Sequence, residues 1–227
     1  MTDPTSAFSD AAAVARYAEG PPRLVPGFVG LQRMATILLA ERAPADARVL
    51  VLGAGGGLEL KAFAQAHPGW TFTGVDPARA MLDLAAQTLG PLAARTQWVP
   101  GTIDDAPDGP FDAGACLLTL HFLSAGERLR TLREVRRRLR PGAPFVVAHA
   151  SFPQDGEQRA RWLSRYAAFA VASGIEPAQA TAGRDAIDRH LHLLAPAEDE
   201  AILADAGFTG IELFHVGFTF RGWVAYA

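Results

Sequence analysis

The chain has 227 residues, of which 49% are hydrophobic, and its formal net charge at pH 7 is −3. These values suit one soluble domain with a sizeable core, and the small charge gives no general attraction to nucleic acid or anionic membranes. A single cysteine excludes an internal disulfide. No apolar run is long enough to cross a membrane, and the N-terminus lacks a secretory signal pattern. We therefore expect a cytoplasmic protein.

The first 44 residues are predicted to be helical. Ser9 and Asp10 can cap a short helix that ends before Gly20-Pro21-Pro22. Apolar residues then recur at helical spacing over residues 27–42, and Pro44 ends that segment. We treat residues 1–44 as an N-terminal helical segment of a single domain that spans residues 1–227.

The most informative stretch is a short apolar run followed by glycines. Residues 48–52 are typical of a buried strand, residues 53–57 contain four glycines, and residues 58–66 are apolar at helical spacing. Strand, glycine turn and helix in this order are typical of the nucleotide-binding opening of a doubly wound α/β fold. Glycine lets a ligand approach the backbone because it has no Cβ. The alternative is an ordinary tight turn.

A second strand, predicted over residues 70–75, runs into Asp76. A carboxylate there can accept hydrogen bonds from a ribose diol, or it can cap the next helix with Pro77 at the first helical position. The glycine spacing is G-x-G-x-G, whereas the dinucleotide fingerprint G-x-G-x-x-G would need a glycine at Leu58. An adenosine-type ligand without a pyrophosphate is therefore predicted, which favours S-adenosylmethionine. An NAD-dependent oxidoreductase is the alternative.

The remaining elements alternate between strand and helix as far as residue 150. We predict strands over residues 96–99, 111–120 and 144–150, and helices over 78–89 and 125–140. Such alternation favours a parallel sheet with right-handed crossovers. Residues 152–206 contain no convincing strand and read as a helical insert that shapes the substrate side, with helices over 155–173, 176–193 and 197–206. Two final strands, 208–216 and 218–226, are joined so tightly at Gly217 that they must pair antiparallel.

Taken together, these pieces resemble the class I S-adenosylmethionine-dependent methyltransferases. The matching stretches are residues 49–57, Gly74-Val75-Asp76, Gly101-Thr102-Ile103, Phe111-Asp112, Leu139-Arg140-Pro141-Gly142 and the closing hairpin. The resemblance implies a doubly wound, Rossmann-like α/β fold with a seven-stranded, mostly parallel sheet. Its implied strand order is 3-2-1-4-5-7-6, with strand seven antiparallel and helices on both faces.

Within that class the chain looks most like the carboxy-S-adenosylmethionine synthase group, which serves tRNA wobble-uridine modification. Residues 23–28, 119–123 and 206–208 carry this second likeness. An Asn expected at Leu117 and an Arg expected at Ile202 are missing, and the Arg would pair the extra carboxylate. Because an unpaired buried carboxylate costs several kcal/mol, we favour ordinary S-adenosylmethionine as the cofactor.

The class resemblance also implies which residues contact the cofactor. The methionine and ribose parts would lie near the glycine turn, and the adenine would lie between the segments that follow strands two and three. Leu117 and Leu118 would lie beneath the methionine part. The predicted cofactor-binding residues are Arg23, Gly53, Ala54, Gly55, Gly57, Asp76, Pro77, Thr102, Ile103, Leu117 and Leu118.

The substrate side offers weaker candidates. His121 and His149 follow strands four and five, where either could act as a base or simply pack as a hydrogen-bonded histidine. Arg23 could hold the methionine carboxylate or be a surface arginine. Trp162, Tyr166 and Phe169 recur at helical spacing and could form an aromatic acceptor pocket or pack within the insert.

Two further patterns could indicate a metal site or a surface that binds nucleic acid, and we favour neither interpretation. His190 and His192 stand two residues apart on a predicted helix and therefore point to different sides, so no metal site is predicted. Seven arginines between residues 128 and 140 fall mostly opposite an apolar stripe, which favours a solvated helix face over a nucleic-acid surface. We expect a small-molecule acceptor and no membrane association, with tRNA and a homodimer left open.

Overall fold

The computed structural model describes residues 17–227, so most of the helix predicted before Gly20 lies outside the described residues. A seven-stranded sheet has the order β3-β2-β1-β4-β5-β7-β6. Its strands are β1 Arg48–Leu52, β2 Thr71–Asp76, β3 Thr96–Pro100, β4 Ala113–Leu117, β5 Pro144–Ala150, β6 Thr209–Gly217 and β7 Phe220–Tyr226.

The strand directions match those expected from the sequence. β1 to β5 pair in parallel, whereas β7 runs antiparallel to both β5 and β6. β4 and β5 are buried along their whole lengths, as parallel strands covered on both faces should be. The predicted doubly wound fold and its strand order are confirmed.

Eight α-helices lie within residues 17–227. They are α1 Gly20–Leu24, α2 Phe28–Ala40, α3 Leu58–Ala66, α4 Arg79–Leu89, α5 Ala125–Arg138, α6 Gly156–Ala172, α7 Pro177–His190 and α8 Pro196–Asp205. α5 begins with the capping box formed by Ser124 and Glu127 that its sequence predicts. α6, α7 and α8 lie between β5 and β6, in the segment predicted to be a helical insert.

The fourth strand is shorter than the predicted range of residues 111–120. β4 ends at Leu117 because Leu118 adopts a left-handed conformation with φ 59°, and a 3-10 helix, Leu120–Phe122, follows. The predicted strand was too long because the last residues of the apolar run belong to this turn. Because β4 ends early, the chain that follows it crosses the carboxyl edge of the sheet.

Two apolar clusters cover the faces of the sheet. One includes Leu31 of α2, Phe63 of α3 and Leu163 of α6. The other includes Leu132 of α5 and Trp223 of β7. The helices are thus divided between the faces as a doubly wound sheet requires, which leaves the carboxyl ends of the strands free to form a site.

Candidate functional site

A cavity of about 280 Å³ lies at the carboxyl ends of β1 to β4. Parallel α/β sheets bind their ligands at this edge, where the connecting loops diverge. Most of its lining is apolar. The residues lining it are Leu52, Gly53, Gly55, Asp76, Pro77, Ala78, Met81, Gly101, Thr102, Ile103, Leu117, Leu118, Thr119, Phe122, Leu123, Glu127, Arg130 and Thr131.

The glycine turn after β1 forms one wall of this cavity. Gly53 has φ +70°, and a Cβ placed on it would overlap the side chain of Thr119. Gly57 has φ +77°, and a Cβ there would come within 2.9 Å of Ala85 in α4. Both positions therefore need glycine for internal packing as well as for backbone conformation. The space beside Gly53, expected to admit a ligand, is filled by Thr119.

Asp76 ties the glycine turn to the segment that follows β2. Its Oδ2 accepts a hydrogen bond from Gly55 N at 2.9 Å, and its Oδ1 accepts one from Ala78 N at 2.9 Å. Burial raises the pKa of Asp76, and these two backbone hydrogen bonds oppose that rise. α4 begins at Arg79 with Ala78 as its N-cap, so Asp76 does not cap the helix. Each carboxylate oxygen keeps acceptor capacity for a ribose hydroxyl.

The far wall of the cavity comes from the turn after β3 and the first turns of α5. Thr102 caps the 3-10 helix Ile103–Asp105, and Asp105 accepts a hydrogen bond from Thr102 N at 2.8 Å. Arg130 of α5 contacts both oxygens of Asp104, at 2.8 and 3.0 Å. One guanidinium nitrogen thus contacts both carboxylate oxygens and links α5 to the turn after β3.

The turn after β4 crosses over the glycine turn. Leu118 N donates to Ala148 O at 2.6 Å, and Thr119 Oγ1 donates to Leu117 O at 3.1 Å. A left-handed backbone at a leucine costs about 1–3 kcal/mol, and such strain concentrates at functional sites. Leu118 and Thr119 therefore form a fixed lip of the cavity.

The structure brings eight of the eleven predicted cofactor residues to the cavity wall. They are Gly53, Gly55, Asp76, Pro77, Thr102, Ile103, Leu117 and Leu118. Ala54 and Gly57 pack behind the wall, against Gly74 and α4 respectively. Arg23 is exposed on α1 and does not line the cavity.

Neither of the two candidate bases lines the cavity. His121 Nδ1 accepts a hydrogen bond from Ala150 N at 3.1 Å, and burial lowers the pKa of His121 to about 3. His149 Nε2 lies 3.1 Å from Asp199 Oδ1 in the interior. These contacts match the packing alternative, and a histidine with so low a pKa is a weak base at neutral pH.

Five of the seven arginines in residues 128–140 are exposed, as predicted for a solvated face, and two are buried. Arg128 is only 1% exposed and forms a buried ion pair with Asp199 of α8, and Arg138 is buried beside Glu134. Sequence periodicity missed this burial because the partner of Arg128 lies 71 residues away along the chain. Arg130, Arg137 and Arg140 pair with Asp104, Asp108 and Asp112, while Arg133 and Arg136 donate to backbone carbonyls.

The predicted aromatic acceptor residues pack elsewhere. Tyr166 packs against Phe220 of β7, and Phe169 makes an edge contact with Phe218. Trp162 lies beneath the guanidinium groups of Arg165 and Arg221. This group joins α6 to the terminal hairpin and contributes no residue to the cavity.

Glu59 is a buried carboxyl that the sequence reading did not single out. It lies in the first turn of α3, directly behind the glycine turn, and burial raises its pKa to about 8, helped by the nearby charge of Asp76. The sequence shows only an acidic residue in the first turn of a helix. Such a residue is favourable to the helix dipole whether it is buried or exposed, so its burial could not be predicted.

Glu127 and Arg130 were also missed as cavity residues, because their contribution depends on how α5 packs.

Among residues 17–227, no helix combines the length and apolar character that a membrane crossing needs. Within the same part of the chain, no three His, Cys, Asp or Glu side chains are grouped so that they could hold a metal ion. Asp188, the acidic residue two positions before His190, pairs with Arg159.

Comparison with known proteins gives a consistent picture. Residues 49–142 match a family model described as a methyltransferase domain. The carboxy-S-adenosyl-L-methionine synthase of Campylobacter lari is 22% identical over 90% of this chain and 87% of its own length. The same enzyme of Chromohalobacter salexigens is 27% identical over 96% of this chain and 82% of its own length.

Solved structures share the fold. Human N-acetylserotonin methyltransferase, solved in complex with SAM, has a TM-score of 0.68 and 14% identity over 99% of this chain and 59% of its own. This chain covers only 56–63% of the length of four solved proteins that it matches. The resemblance expected from the sequence is thus confirmed: residues 49–142 match a methyltransferase domain, and the chain shares its fold with solved S-adenosylmethionine-dependent methyltransferases.

Proposed function

We propose that the chain binds S-adenosylmethionine in the cavity at the carboxyl ends of β1 to β4 and transfers its methyl group to a small molecule. The observation that carries this proposal is the pairing of the glycine turn with Asp76 in one cavity wall, inside a methyltransferase domain. The cavity walls fit the ligand chemically, because a mostly apolar cavity with a carboxylate acceptor in its wall suits a base joined to a ribose.

The cofactor, when bound, supplies a methyl group already activated by a sulfonium. The residues of this chain have to bind and align it. Asp76 would accept hydrogen bonds from the ribose hydroxyls, and Pro77 and Ile103 would enclose the adenine. Leu118 and Thr119 would limit the space at the glycine turn, so that an acceptor can approach from one side only.

Calorimetric titration with S-adenosylmethionine and S-adenosylhomocysteine tests this proposal. The wild-type chain should bind both, and Asp76→Ala should weaken binding by about ten-fold or more, because hydrogen bonds to a charged acceptor are lost. Asp83→Ala, an exposed change on α4, is the matched control and should bind like the wild type. A melting curve for each variant is needed because Asp76 also holds Gly55 and Ala78. Failure of the wild-type chain to bind either compound would refute the proposal.

A carboxylated cofactor is the second candidate, because the two relatives described above are named carboxy-S-adenosyl-L-methionine synthase. Two features count against it here. Ile202, where an arginine is expected, packs against the apolar cluster of α5 and β7. The arginine that lines the cavity, Arg130, is held by Asp104. Mass spectrometry of the ligand retained on purification separates the two candidates, since an added carboxyl mass would favour the carboxylated cofactor.

The antiparallel terminal hairpin disfavours the alternative of an NAD-dependent oxidoreductase.

We also propose a cytoplasmic location, supported by the single, buried Cys116, which suits a reducing compartment. The division into one domain with a helical insert stays a prediction, as does a homodimer. Light scattering on the purified protein measures the oligomeric state directly.

A further inference from the structure

Three arginine side chains are buried among residues 17–227, and one of them has no carboxylate partner in that part of the chain. Arg128 pairs with Asp199, and Arg138 pairs with Glu134. Arg221 of β7 is only 8% exposed, yet it forms no ion pair with a residue of that range. Burial lowers the pKa of Arg221, and no neighbouring carboxylate opposes the shift. Because a buried charge is costly without a partner, we looked for the anion that it could receive.

Arg221 keeps two of its three nitrogens free to bind a ligand. Nη1 donates to Phe218 O at 2.5 Å and to Phe220 O at 2.9 Å, which uses both of its hydrogens. Nε and Nη2 donate to no residue in the described part of the chain, and neither atom is sealed from solvent. These two nitrogens form one edge of the planar guanidinium, and such an edge can bind both oxygens of a carboxylate.

Arg221 lies at the same edge of the sheet as the cofactor cavity. It is paired with His149 near the carboxyl end of β5, and β5 lies between β7 and β4. Leu117, the last residue of β4, lines the cavity. Neighbouring strands are about 4.8 Å apart, so β7 and β4 are separated by about 10 Å. A small molecule of about that length is therefore long enough to extend from Arg221 to the cavity.

The side chains around Arg221 are mainly aromatic. Its guanidinium carbon lies 5.5 Å from the centre of the Trp162 ring, and Tyr166, one turn further along α6, packs against Phe220. The Tyr166 hydroxyl makes no hydrogen bond within residues 17–227, and burial raises its pKa to about 12, so it stays neutral and can donate one. A single guanidinium balances the charge of a carboxylate, whereas the second charge of a phosphate would stay uncompensated.

We propose that Arg221 binds the carboxylate of the methyl acceptor, and that this acceptor is a small aromatic acid. The inference rests on the proposed function, because a cofactor at the carboxyl ends of β1 to β4 is what makes the bound acid an acceptor. The rings of Trp162 and Tyr166 would contact the aromatic body of the acid, and the free edge of Arg221 would hold its carboxylate. Nothing in this arrangement uses the residues of the cofactor cavity.

Calorimetry on the full chain saturated with S-adenosylhomocysteine tests the proposal. The probes are benzoate, phenylacetate and 3-phenylpropanoate, each compared with its uncharged amide. The wild type should bind at least one acid about ten-fold or more tighter than its amide, because charged hydrogen bonds are lost in the amide. If no acid binds better than its amide, the inference is wrong. Tighter binding of phenyl phosphate than of all three acids would also overturn it.

Two substitutions of Arg221 test its role directly. Arg221→Met should bring the affinities of acid and amide together. Arg221→Lys keeps the charge and can still donate to the hairpin carbonyls, but it should retain only part of the preference, because an ammonium lacks the planar edge. Arg165→Met is the matched control, since Arg165 is exposed and contacts the same Trp162 ring. It should keep the wild-type preference, and an equal loss in Arg165→Met would contradict the assignment.

The chain itself contains two further acids, Asp3 and Asp10, before the described residues. The double variant Asp3→Asn, Asp10→Asn should bind the probe acids like the wild type. Tighter binding in this variant would show that the chain's own carboxylates compete for Arg221, and would overturn the inference.

Binding of S-adenosylhomocysteine alone separates this inference from the proposed function. The wild type and Arg221→Met should bind it equally. Weaker binding in Arg221→Met, with an unchanged melting curve, would assign Arg221 to the carboxylate of the cofactor and overturn the inference. Absence of binding in the wild type would instead overturn the proposed function.

Discussion

At the scale of single residues, the glycines of the turn after β1 are needed mainly for packing against neighbouring segments. Gly53 lies under Thr119, and Gly57 lies under α4, so both glycines allow neighbouring segments to approach the turn. That close approach brings the lip formed by Leu118 and Thr119 over the end of β1. The shape of the cavity therefore depends on the absence of a side chain at Gly53.

We predict that Gly53→Ala destabilises the chain and abolishes binding of S-adenosylhomocysteine. The new methyl group overlaps Thr119, and alanine disfavours φ +70°. Gly126→Ala is the control, because nothing lies within 4 Å of a Cβ there and the residue is in α5. It should be neutral or stabilise the chain by up to about 1 kcal/mol. Melting temperatures and calorimetry measure both effects, and equal behaviour of the two variants would contradict the packing role.

Glu59 gives a second prediction at the residue scale. Burial raises its pKa from 4.5 to about 8, so between these pH values the folded chain holds a proton that the unfolded chain has released. The free energy of unfolding should therefore fall as pH rises through this range, by up to about 1.4 kcal/mol per pH unit, and level off above it. Because the folded state favours the neutral form, removing the ionisable group should stabilise the chain at high pH.

Urea denaturation across this pH range measures the effect. Glu59→Gln should be more stable than the wild type near pH 8 and should lose that advantage towards pH 4.5. Glu212→Gln, at an exposed position of β6, is the control and should leave the pH profile unchanged. A stability difference between Glu59→Gln and the wild type that does not vary with pH would contradict the assignment.

At the scale of elements, a buried polar network joins α8 to α5 and β5. Asp199 of α8 lies against Arg128 and His149, and Arg128 also donates to His192 O at 2.8 Å. Burial works to raise the pKa of Asp199, but His149 and Arg128 hold it below its usual value. The network attaches the end of the insert beside the helix that supplies Glu127 and Arg130 to the cavity.

We predict that Arg128→Met costs about 3–5 kcal/mol of stability, because it leaves the Asp199 carboxylate buried without its cation. Arg133→Met on the exposed face of the same helix should cost within about 0.5 kcal/mol. Combining Arg128→Met with Asp199→Leu should recover part of the loss, since no charge then stays buried. Urea denaturation followed by circular dichroism measures all three. Equal stability of the two single variants would show that the pair contributes nothing.

At the scale of the whole molecule, charge is balanced locally as well as in total. The net charge is −3, and the arginines of residues 128–140 contact carboxylates or carbonyls close to them. A surface that binds nucleic acid needs cations free to contact phosphates. This arrangement favours a small-molecule acceptor over tRNA.

We therefore predict no salt-dependent binding of tRNA. Fluorescence anisotropy with labelled tRNA at low and moderate salt should give no saturable signal, and the charge reversal Arg133→Glu should change nothing. A complex that weakens steeply as salt rises, and weakens further in that variant, would indicate phosphate contacts and contradict the prediction.

The sequence by itself determined which segments form the strands and helices, and its resemblance to a known class implied the order of the sheet. Apolar runs of strand length, glycine and proline at their ends, and the tight connection at Gly217 are local signals, and each acts within a few residues. For this reason most element boundaries, the antiparallel hairpin and the position of Asp76 could be predicted without the structure.

Only the tertiary structure decided which side chains meet across the chain. Thr119 fills the space beside Gly53, and Arg128 pairs with Asp199, although the partners are 66 and 71 residues apart. Helical periodicity cannot distinguish an arginine that faces solvent from one that faces a distant aspartate, because both occupy positions outside the apolar face of the helix. The same holds for Glu127: its sequence marks a helix start, and only the packing of α5 over the sheet brings its carboxylate to the cavity.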